Sequence, residues 1–528
     1  MSRSPRLYAA ACASLVVLAA VPAAATFTRI TTGDIVTTPA NYWGGSWGDY
    51  DDDGWLDLFV GATFASKTNY LYHNDHDGAF TLIDQAAMPK SPSNQHGAAW
   101  ADYDNDGHLD LIVTSGNPEL THTMLYHNNG DGTFSWTTAN AIYNDDLFFV
   151  SPNVHAPKWG DYDNDGLIDL FLVGHDIRNR LFHNDGGGSF TRILNHVLVN
   201  SQSASEGGAW VDYDDDGDLD LFVTNTSSFR NALYRNDQNG VFSKVTTSGL
   251  TPRIEHSIGS CFGDYDNDGL PDLFLANFAA KNSLYHNSGD GTFSAVLDSA
   301  VVADSIPAGW LSGTCAWGDY DNDGFLDLVV PSANEAHPPV IDGHTSLYHN
   351  EGDGTFTKVT EGSVANDPTG AFASWVDYDN DGFLDLFLAQ GELDPVPRTN
   401  LLYHNDGNAN AWLNVKLVGT VSNRSAIGAK VRIHAFYRGA SRWQVREISG
   451  GDSGDNQQSL NAEFGLADAT SIDTLRIEWP SGVVQELHDV APRHFLTLTE
   501  LVPEPAALLQ AMAALAALAA LSHSCRRT

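Results

Sequence analysis

One acidic pattern, Asp-x-Asp-x-Asp-Gly-x-x-Asp, occurs seven times along the 528 residues, starting at Asp49, Asp102, Asp161, Asp212, Asp264, Asp319 and Asp377. Successive starts lie 53, 59, 51, 52, 55 and 58 residues apart, and recurrence at that period means a stack of like units sharing a core. Each unit reads alike: small residues, an aromatic, the acidic loop, an apolar run, a variable stretch, a Leu-Tyr-His-Asn-like segment and Gly-x-Phe. Four short strands fit that length. In the second unit they are expected at Gly97 to Asp102, Leu109 to Thr114, Met124 to His127 and Thr133 to Thr137, with Asn129-Gly130-Asp131-Gly132 turning between the last two.

The chain ends of the repeat region decide between an open stack and a ring. The seventh unit runs through Leu402-Tyr403-His404-Asn405 and then lacks the Gly-x-Phe strand. Thr26-Phe27-Thr28-Arg29-Ile30-Thr31 parallels Thr355-Phe356-Thr357-Lys358-Val359-Thr360, so the missing strand stands at the start of the mature chain. A closed ring brings the two together and protects the sheet edges. The expected fold is therefore all-β: a seven-bladed β-propeller over 26–407 followed by a small β-rich domain over 408–501. Small residues in each first strand (Gly45-Ser46, Ala98-Ala99, Gly208-Ala209, Gly259-Ser260, Ala373-Ser374) suit strands crowding around an axis. The aromatic two residues before each loop (Trp47, Trp100, Trp159, Trp210, Phe262, Trp317, Trp375) is expected to fill the gap between blades.

Carboxylates fall at loop positions 1, 3, 5 and 9 with Gly at 6, the arrangement by which a tightly curled loop presents oxygens to a hard cation. The candidate ligands are Asp49, Asp51, Asp53 and Asp57; Asp102, Asp104, Asp106 and Asp110; Asp161, Asp163, Asp165 and Asp169; Asp212, Asp214, Asp216 and Asp220; Asp264, Asp266, Asp268 and Asp272; Asp319, Asp321, Asp323 and Asp327; and Asp377, Asp379, Asp381 and Asp385. Position 7 adds a backbone carbonyl, that of Trp55 in the first loop. Ca2+ at about seven sites is the expected cofactor; Mg2+ prefers a more rigid octahedron, and an oxygen-only set disfavours softer metals. Two bare carboxylates about 5 Å apart repel by roughly 3 kcal/mol at an effective dielectric of about 20. Calcium is therefore expected to stabilise the ring, at affinities of about 0.1 to 1 mM as in other extracellular modules. The histidine of the Leu-Tyr-His-Asn segments (His73, His127, His183, His286, His349, His404, with Arg235 in the fourth unit) reads as a polar strand end rather than a ligand.

Lys and Arg total 27 against 67 Asp and Glu, a formal charge of −40, which excludes nucleic acid as a partner. Filling seven loops adds 14 charges and leaves −26. Met1 to Ala25, with Arg3, Arg6, an apolar run and Ala23-Ala24-Ala25, reads as a secretory leader. Of four cysteines only Cys261 and Cys315 fall in the mature body, at offsets that put them on opposite strand faces, and two buried free thiols are expected.

These loops resemble the FG-GAP and VCBS repeats of integrin α-subunit propellers and their bacterial relatives, which implies calcium-clamped blades and adhesive or recognition roles rather than catalysis. Ser422 to Ala429, Phe464-Gly465-Leu466 and Trp479-Pro480-Ser481-Gly482 resemble the ASPIC/UnbV domain that follows such repeats in the cartilage acidic protein family, although Glu463 stands where relatives commonly carry His. Pro503-Glu504-Pro505, an Ala/Leu-rich stretch and Cys525-Arg526-Arg527 resemble the PEP-CTERM sorting signal over 502–528. That tail implies a transient membrane anchor, processing by an exosortase-type enzyme, and the surface or matrix of a Gram-negative-type bacterium; an ordinary hydrophobic tail anchor is the alternative. A glycan or protein ligand is expected on the face opposite the calcium loops, along 331–346, 390–400 and 81–97; Trp43, His96, His155, His256, Trp310 and Phe372 are candidates to line that face, with plain packing the equal alternative for each. The rival reading is a polysaccharide-active enzyme at the channel mouth, for which Glu206, His96, His155 and His256 are eligible.

Overall fold

The first strand of each unit is where the fold is assembled, because its two neighbours in the ring and the channel axis all meet there. The computed structural model describes residues 26–502 apart from 41, 63–68, 77, 84–86, 89–94, 116–121, 137, 146–153, 176–177, 201–203, 227–228, 251–255, 305–309, 335–343, 367–371, 391–397 and 452. The expected leader and tail lie outside those residues, as does most of the three expected ligand segments. Seven antiparallel sheets follow one another in chain order. The second is built from Gln95–Ala101, Asp110–Ser115, Met124–Asn128 and Phe134–Trp136, within two residues of the expected strand ends. The second strands, such as Asp110–Ser115 and Asp169–Gly174, are buried along their whole length, as continuous apolar runs covered on both faces must be. Phe27–Ile30 pairs antiparallel with Leu401–Asn405 as the outer strand of the seventh sheet.

Two sets of hydrogen bonds join each sheet to the one before it. The indole N–H of Trp100, Trp159, Trp210, Trp317 and Trp375 donates to a carbonyl on the preceding first strand (Ser46, Ala99, Lys158, Cys261, Ala316) at 3.1–3.3 Å. Trp47 of the first sheet donates to Ser374 Oγ of the seventh at 2.9 Å, so the same contact closes the circle. The Phe262 ring carries no N–H and leaves the fifth sheet without this bond. The second set is the Asn that ends each third strand. Asn74, Asn128, Asn184, Asn236, Asn287, Asn350 and Asn405 donate through Nδ2 to the carbonyl of the loop tyrosine of the preceding sheet (Tyr378, Tyr50, Tyr103, Tyr162, Tyr213, Tyr265, Tyr320) at 2.6–2.9 Å. Asn74 again runs from the first sheet to the seventh.

The cysteines are a disulfide, Cys261–Cys315, with Cα atoms 6.0 Å apart, and not free thiols. Opposite strand faces are what permits it: the face that one sheet turns toward its neighbour is the reverse of the face the neighbour turns back, so residues on opposite faces of successive first strands meet in the gap.

From residue 411 onward a second unit forms two sheets. Ala411–Val418 lies between Asn461–Ala467 and Phe495–Thr499, and Lys430–Tyr437 lies between Ala440–Glu447 and Ile472–Glu478, with Val484–Val490 beyond. Its segment from Gly450 to Gln458 leaves the sheet and runs into the axis of the ring, where it bonds to first strands from several sheets. Gln457 exchanges backbone bonds with Gly45 and Trp47, and its side chain bonds Trp100 N and O. Asn456 bonds Gly45 N and Ala373 O, Ser453 Oγ accepts from Cys315 N, and Gly450 bridges to Trp159. The small residues of the first strands make room both for one another and for this plug: a Cβ on Gly97 would sit 2.8 Å from Pro157 Cδ of the next first strand and 3.0 Å from Asp455 Oδ1, and one on Gly44 2.6 Å from Asp455 O. Register shifts interrupt the first strands at Trp43/Ser46, Gln95/Ala98, Val154/Pro157, Ser205/Gly207 and Ser257/Gly259, and in the first sheet the freed backbone groups of Gly45 are those that bond the plug.

Replacing Asn74 by Ala leaves the buried Leu56 and Tyr378 carbonyls unbonded at the point of closure, and urea denaturation is expected to report a loss of about 2–4 kcal/mol. Cys261→Ser, which opens a loop of sequence separation 54, is expected to cost about 2–4 kcal/mol in the same measurement.

Candidate metal centres

All seven acidic loops have one conformation. The residue at position 4 is left-handed in each (Asp52, Asn105, Asn164, Asp215, Asn267, Asn322, Asn380; φ 56–61°), as is the Gly at position 6 (φ 88–103°). Asp and Asn are the non-glycine residues that tolerate this region best, so position 4 carried a signal that attention to the glycine alone misses. In six of the loops the position 1 carboxylate accepts the N–H groups of positions 5 and 6, as Asp102 takes Asp106 N at 3.0 Å and Gly107 N at 2.7 Å, whereas Asp49 takes only that of Gly54. The position 5 carboxylate accepts position 7, as Asp106 does from His108 at 2.9 Å.

Position 9 is the most buried group of each loop. Asp57, Asp110, Asp169, Asp220, Asp272, Asp327 and Asp385 are each 0% exposed. One oxygen takes the N–H of the latch Asn at 2.7–2.8 Å. The other takes the N–H of the loop tyrosine at 3.2–3.3 Å. Burial nevertheless outweighs those bonds and pushes Asp57, Asp110, Asp169 and Asp272 up to about 9 and Asp220 to about 10. At position 1, burial raises Asp161 and Asp264 to about 7.

The histidines lie at the ends of the third strands as expected, and there they also face the loop carboxylates. In the six loops that have one, Nδ1 lies 3.1–3.3 Å from the position 9 carboxylate and 3.2–3.5 Å from that of position 3. The strand register that puts Asn over position 9 puts the preceding residue over the mouth of the loop. Burial works against charge on His349, yet Asp327 and Asp321 raise it to about 10, and the Asp385 carboxylate raises His404 to about 9. Arg235, in the same place in the fourth loop, bonds Asp237 instead.

The set fits a hard cation. Asp49 Oδ1 and the position 3 oxygens Asp104 Oδ1, Asp163 Oδ1, Asp214 Oδ1 and Asp379 Oδ1 are buried without a hydrogen-bond partner. An oxygen-rich loop with buried carboxylate oxygens left over is what a cation of the calcium type requires. Basic residues of the second unit form ion pairs with three of the loops: Lys416 Nζ is 2.8 Å from Asp49, Lys430 Nζ is 2.7 Å from Asp212, and Arg438 pairs with Asp323. The loop face is thus also the docking face of the second unit, a contact no local pattern discloses.

At the other end of the channel the structure brings together Trp43, His96, His155, Phe372 and Glu206, and adds His175 and Asp455. Trp43 stacks on His96 at 4.4 Å between ring centres and lies 5.6 Å from Phe372, and His155 stacks on His175 at 5.0 Å. Glu206 takes His155 Nδ1 at 3.0 Å and His175 Nδ1 at 2.7 Å; burial alone would raise its carboxyl, but the two imidazoles hold it down at about 2. His256, exposed at the start of its strand, is not part of the group, and the Trp310 side chain lies outside the described residues.

The chain matches the FG-GAP-like repeat at 49–113, 161–223, 212–275, 264–330 and 340–388, and the ASPIC and UnbV domain at 419–504. It is 27% identical to cartilage acidic protein 1 of Mus musculus over 329 residues, 61% of this chain and 48% of the relative. It is 28% identical to the Homo sapiens protein over 268 residues, 50% of this chain and 39% of the relative. The chain therefore spans less than half the length of these relatives. Among solved structures, YCF48 bound to D1 peptide aligns with TM-score 0.43 and 9% identity over 73% of this chain and 99% of that one. BBS1N in complex with ARL6DN aligns with TM-score 0.44 and 11% identity over 72% and 97%.

In metal-free protein the position 9 carboxyls hold protons at pH values where an unfolded Asp, near 3.9, has lost its own. The folded state then binds more protons than the unfolded state, so stability is greatest below about pH 4 and falls as pH rises toward the folded value of about 9. Thermal melts of chelator-treated protein are expected to show a midpoint that declines from pH 5 to pH 8; a rising midpoint would contradict these assignments.

Proposed function

Since the chain belongs to the FG-GAP-like repeat family, we propose that it is a non-enzymatic extracellular or cell-surface binding protein. In this reading, seven sheets form a closed seven-bladed β-propeller, over 26–407, whose loops hold Ca2+ at about seven sites through the twenty-eight aspartates at positions 1, 3, 5 and 9. The observation that carries the proposal is the set of buried, unpartnered carboxylate oxygens at Asp104, Asp163, Asp214 and Asp379, which face no protein donor and suit a cation. Bound calcium would neutralise each cluster and, through position 9, stiffen the latch between neighbouring blades.

The ASPIC/UnbV-like unit, over 408–501, covers the loop face and fills the axis, which supports ligand binding, to a glycan or a protein, on the opposite face. The disulfide supports an oxidising compartment. No helix among the described residues is long and apolar enough to cross a membrane. Export by the leader and transient anchoring by the PEP-CTERM-like tail, removed by an exosortase-type enzyme in a Gram-negative-type bacterium, complete the proposal.

Calorimetric titration of chelator-stripped protein is expected to give about seven Ca2+ per chain with a higher melting temperature, and Asp104→Ala is expected to lower the count by one. An absence of calcium uptake, or melting indifferent to chelator, would refute the cation role. Binding to glycan and cell-surface arrays is expected with calcium and to weaken with chelator; depolymerisation of any bound glycan would refute the non-enzymatic role.

A further inference from the structure

The group at the loop-distal end of the channel differs in chemistry from the acidic loops. A ring nitrogen of His96, a ring nitrogen of His155 and a carboxylate oxygen of Asp455 lie within 4.8 Å of one another. The three residues come from the first strand of the second sheet, the first strand of the third sheet and the plug of the C-terminal unit. They are 8%, 9% and 5% exposed. His96 Nδ1 and Asp455 Oδ1 are buried with no hydrogen-bond partner. An imidazole nitrogen and a carboxylate oxygen left buried and unbonded within one such group are unfavourable unless something satisfies them, and a cation can satisfy both.

We propose that His96, His155 and Asp455 form a second kind of metal site, for a divalent ion of the zinc class, that pins the C-terminal plug to the second and third sheets. Two imidazoles and one carboxylate make a mixed nitrogen and oxygen set, which favours zinc, cobalt or nickel over calcium. The surrounding groups have the supporting arrangement such ligands use. Glu206 takes His155 Nδ1 at 3.0 Å, which fixes that ring's tautomer and leaves Nε2 as its lone-pair atom. Asp455 Oδ2 accepts the Trp43 indole N–H, and the same Trp43 ring stacks on His96. Lys158 Nζ, which donates to Gly454 O at 2.9 Å, offsets one of the two carboxylate charges and leaves the pocket negative. Three protein ligands leave a coordination position for water or an incoming donor atom.

The site is independent of the calcium proposal, and the test keeps the two apart. The full chain is saturated with calcium, stripped of transition metals and titrated with Zn2+ by calorimetry and with Co2+ by visible absorption. One equivalent is expected, with cobalt ligand-field bands and a higher melting temperature. His96→Ala and Asp455→Asn are each expected to abolish that uptake and its thermal shift while calcium stoichiometry stays unchanged. Uptake of neither ion by the wild type, or uptake undiminished in His96→Ala, overturns the proposal. X-ray absorption on the cobalt-loaded wild type needs no variant: histidine scattering supports the site, and an all-oxygen shell assigns the ion to an acidic loop and overturns it.

Discussion

A buried carboxylate at the ninth position of each acidic loop ties together parts of the chain that nothing else connects. One oxygen fixes the loop through the tyrosine N–H, and the other fixes the third strand through the Asn N–H. That Asn then reaches across to the loop of the preceding sheet. Loop shape, strand register and the position of the neighbour are thereby coupled through a single group that is 0% exposed. Because the arrangement repeats seven times and the last member bonds the first, a disturbance at one loop is felt at an interface between sheets.

The same carboxylates create the main physical tension in the molecule. Burial raises their proton affinity, and the clusters they belong to are strongly negative, so folding concentrates charge that has to be met. Three kinds of group meet it: imidazoles of the third strands, lysines and arginines of the C-terminal unit, and, in the proposed calcium form, cations within the loops. Lys416, Lys430 and Arg438 make the seven loops unequal although their sequences are nearly the same. The docked unit is therefore part of the electrostatics of the ring, and its Gly450 to Gln458 segment supplies hydrogen-bond partners that bulged first strands would lack.

Much of the fold was legible because it is repeated. The strand order of a unit, the inter-sheet role of Trp100 and its counterparts, and the common conformation of the seven acidic loops all rest on local spacing, and local spacing survives translation along a chain. The histidine lies at the end of its third strand as expected, but that it faces the carboxylates of the loop depends on which residue lies opposite position 9, a matter of register. The cysteines were misread because facing is reversed between successive sheets, so opposite strand faces bring the sulfurs together. Small residues in the first strands were correctly tied to the axis, yet what fills the axis comes from a segment hundreds of residues away.

From its own pattern the sequence determined a sevenfold set of four-stranded units, an acidic oxygen cage in each and a separate β-rich unit after them. Each of these follows from residues within a few tens of positions of one another. Tertiary structure alone decided that the second unit docks on the loop face, that its glycine-rich segment enters the channel, and that Asp455 arrives beside His96 and His155. Those contacts join residues from 83 positions apart, as between Asn456 and Ala373, to more than 300, as between Asp455 and His96, and docking of one unit on another depends on shape and charge over a whole surface, which no periodicity in a chain encodes.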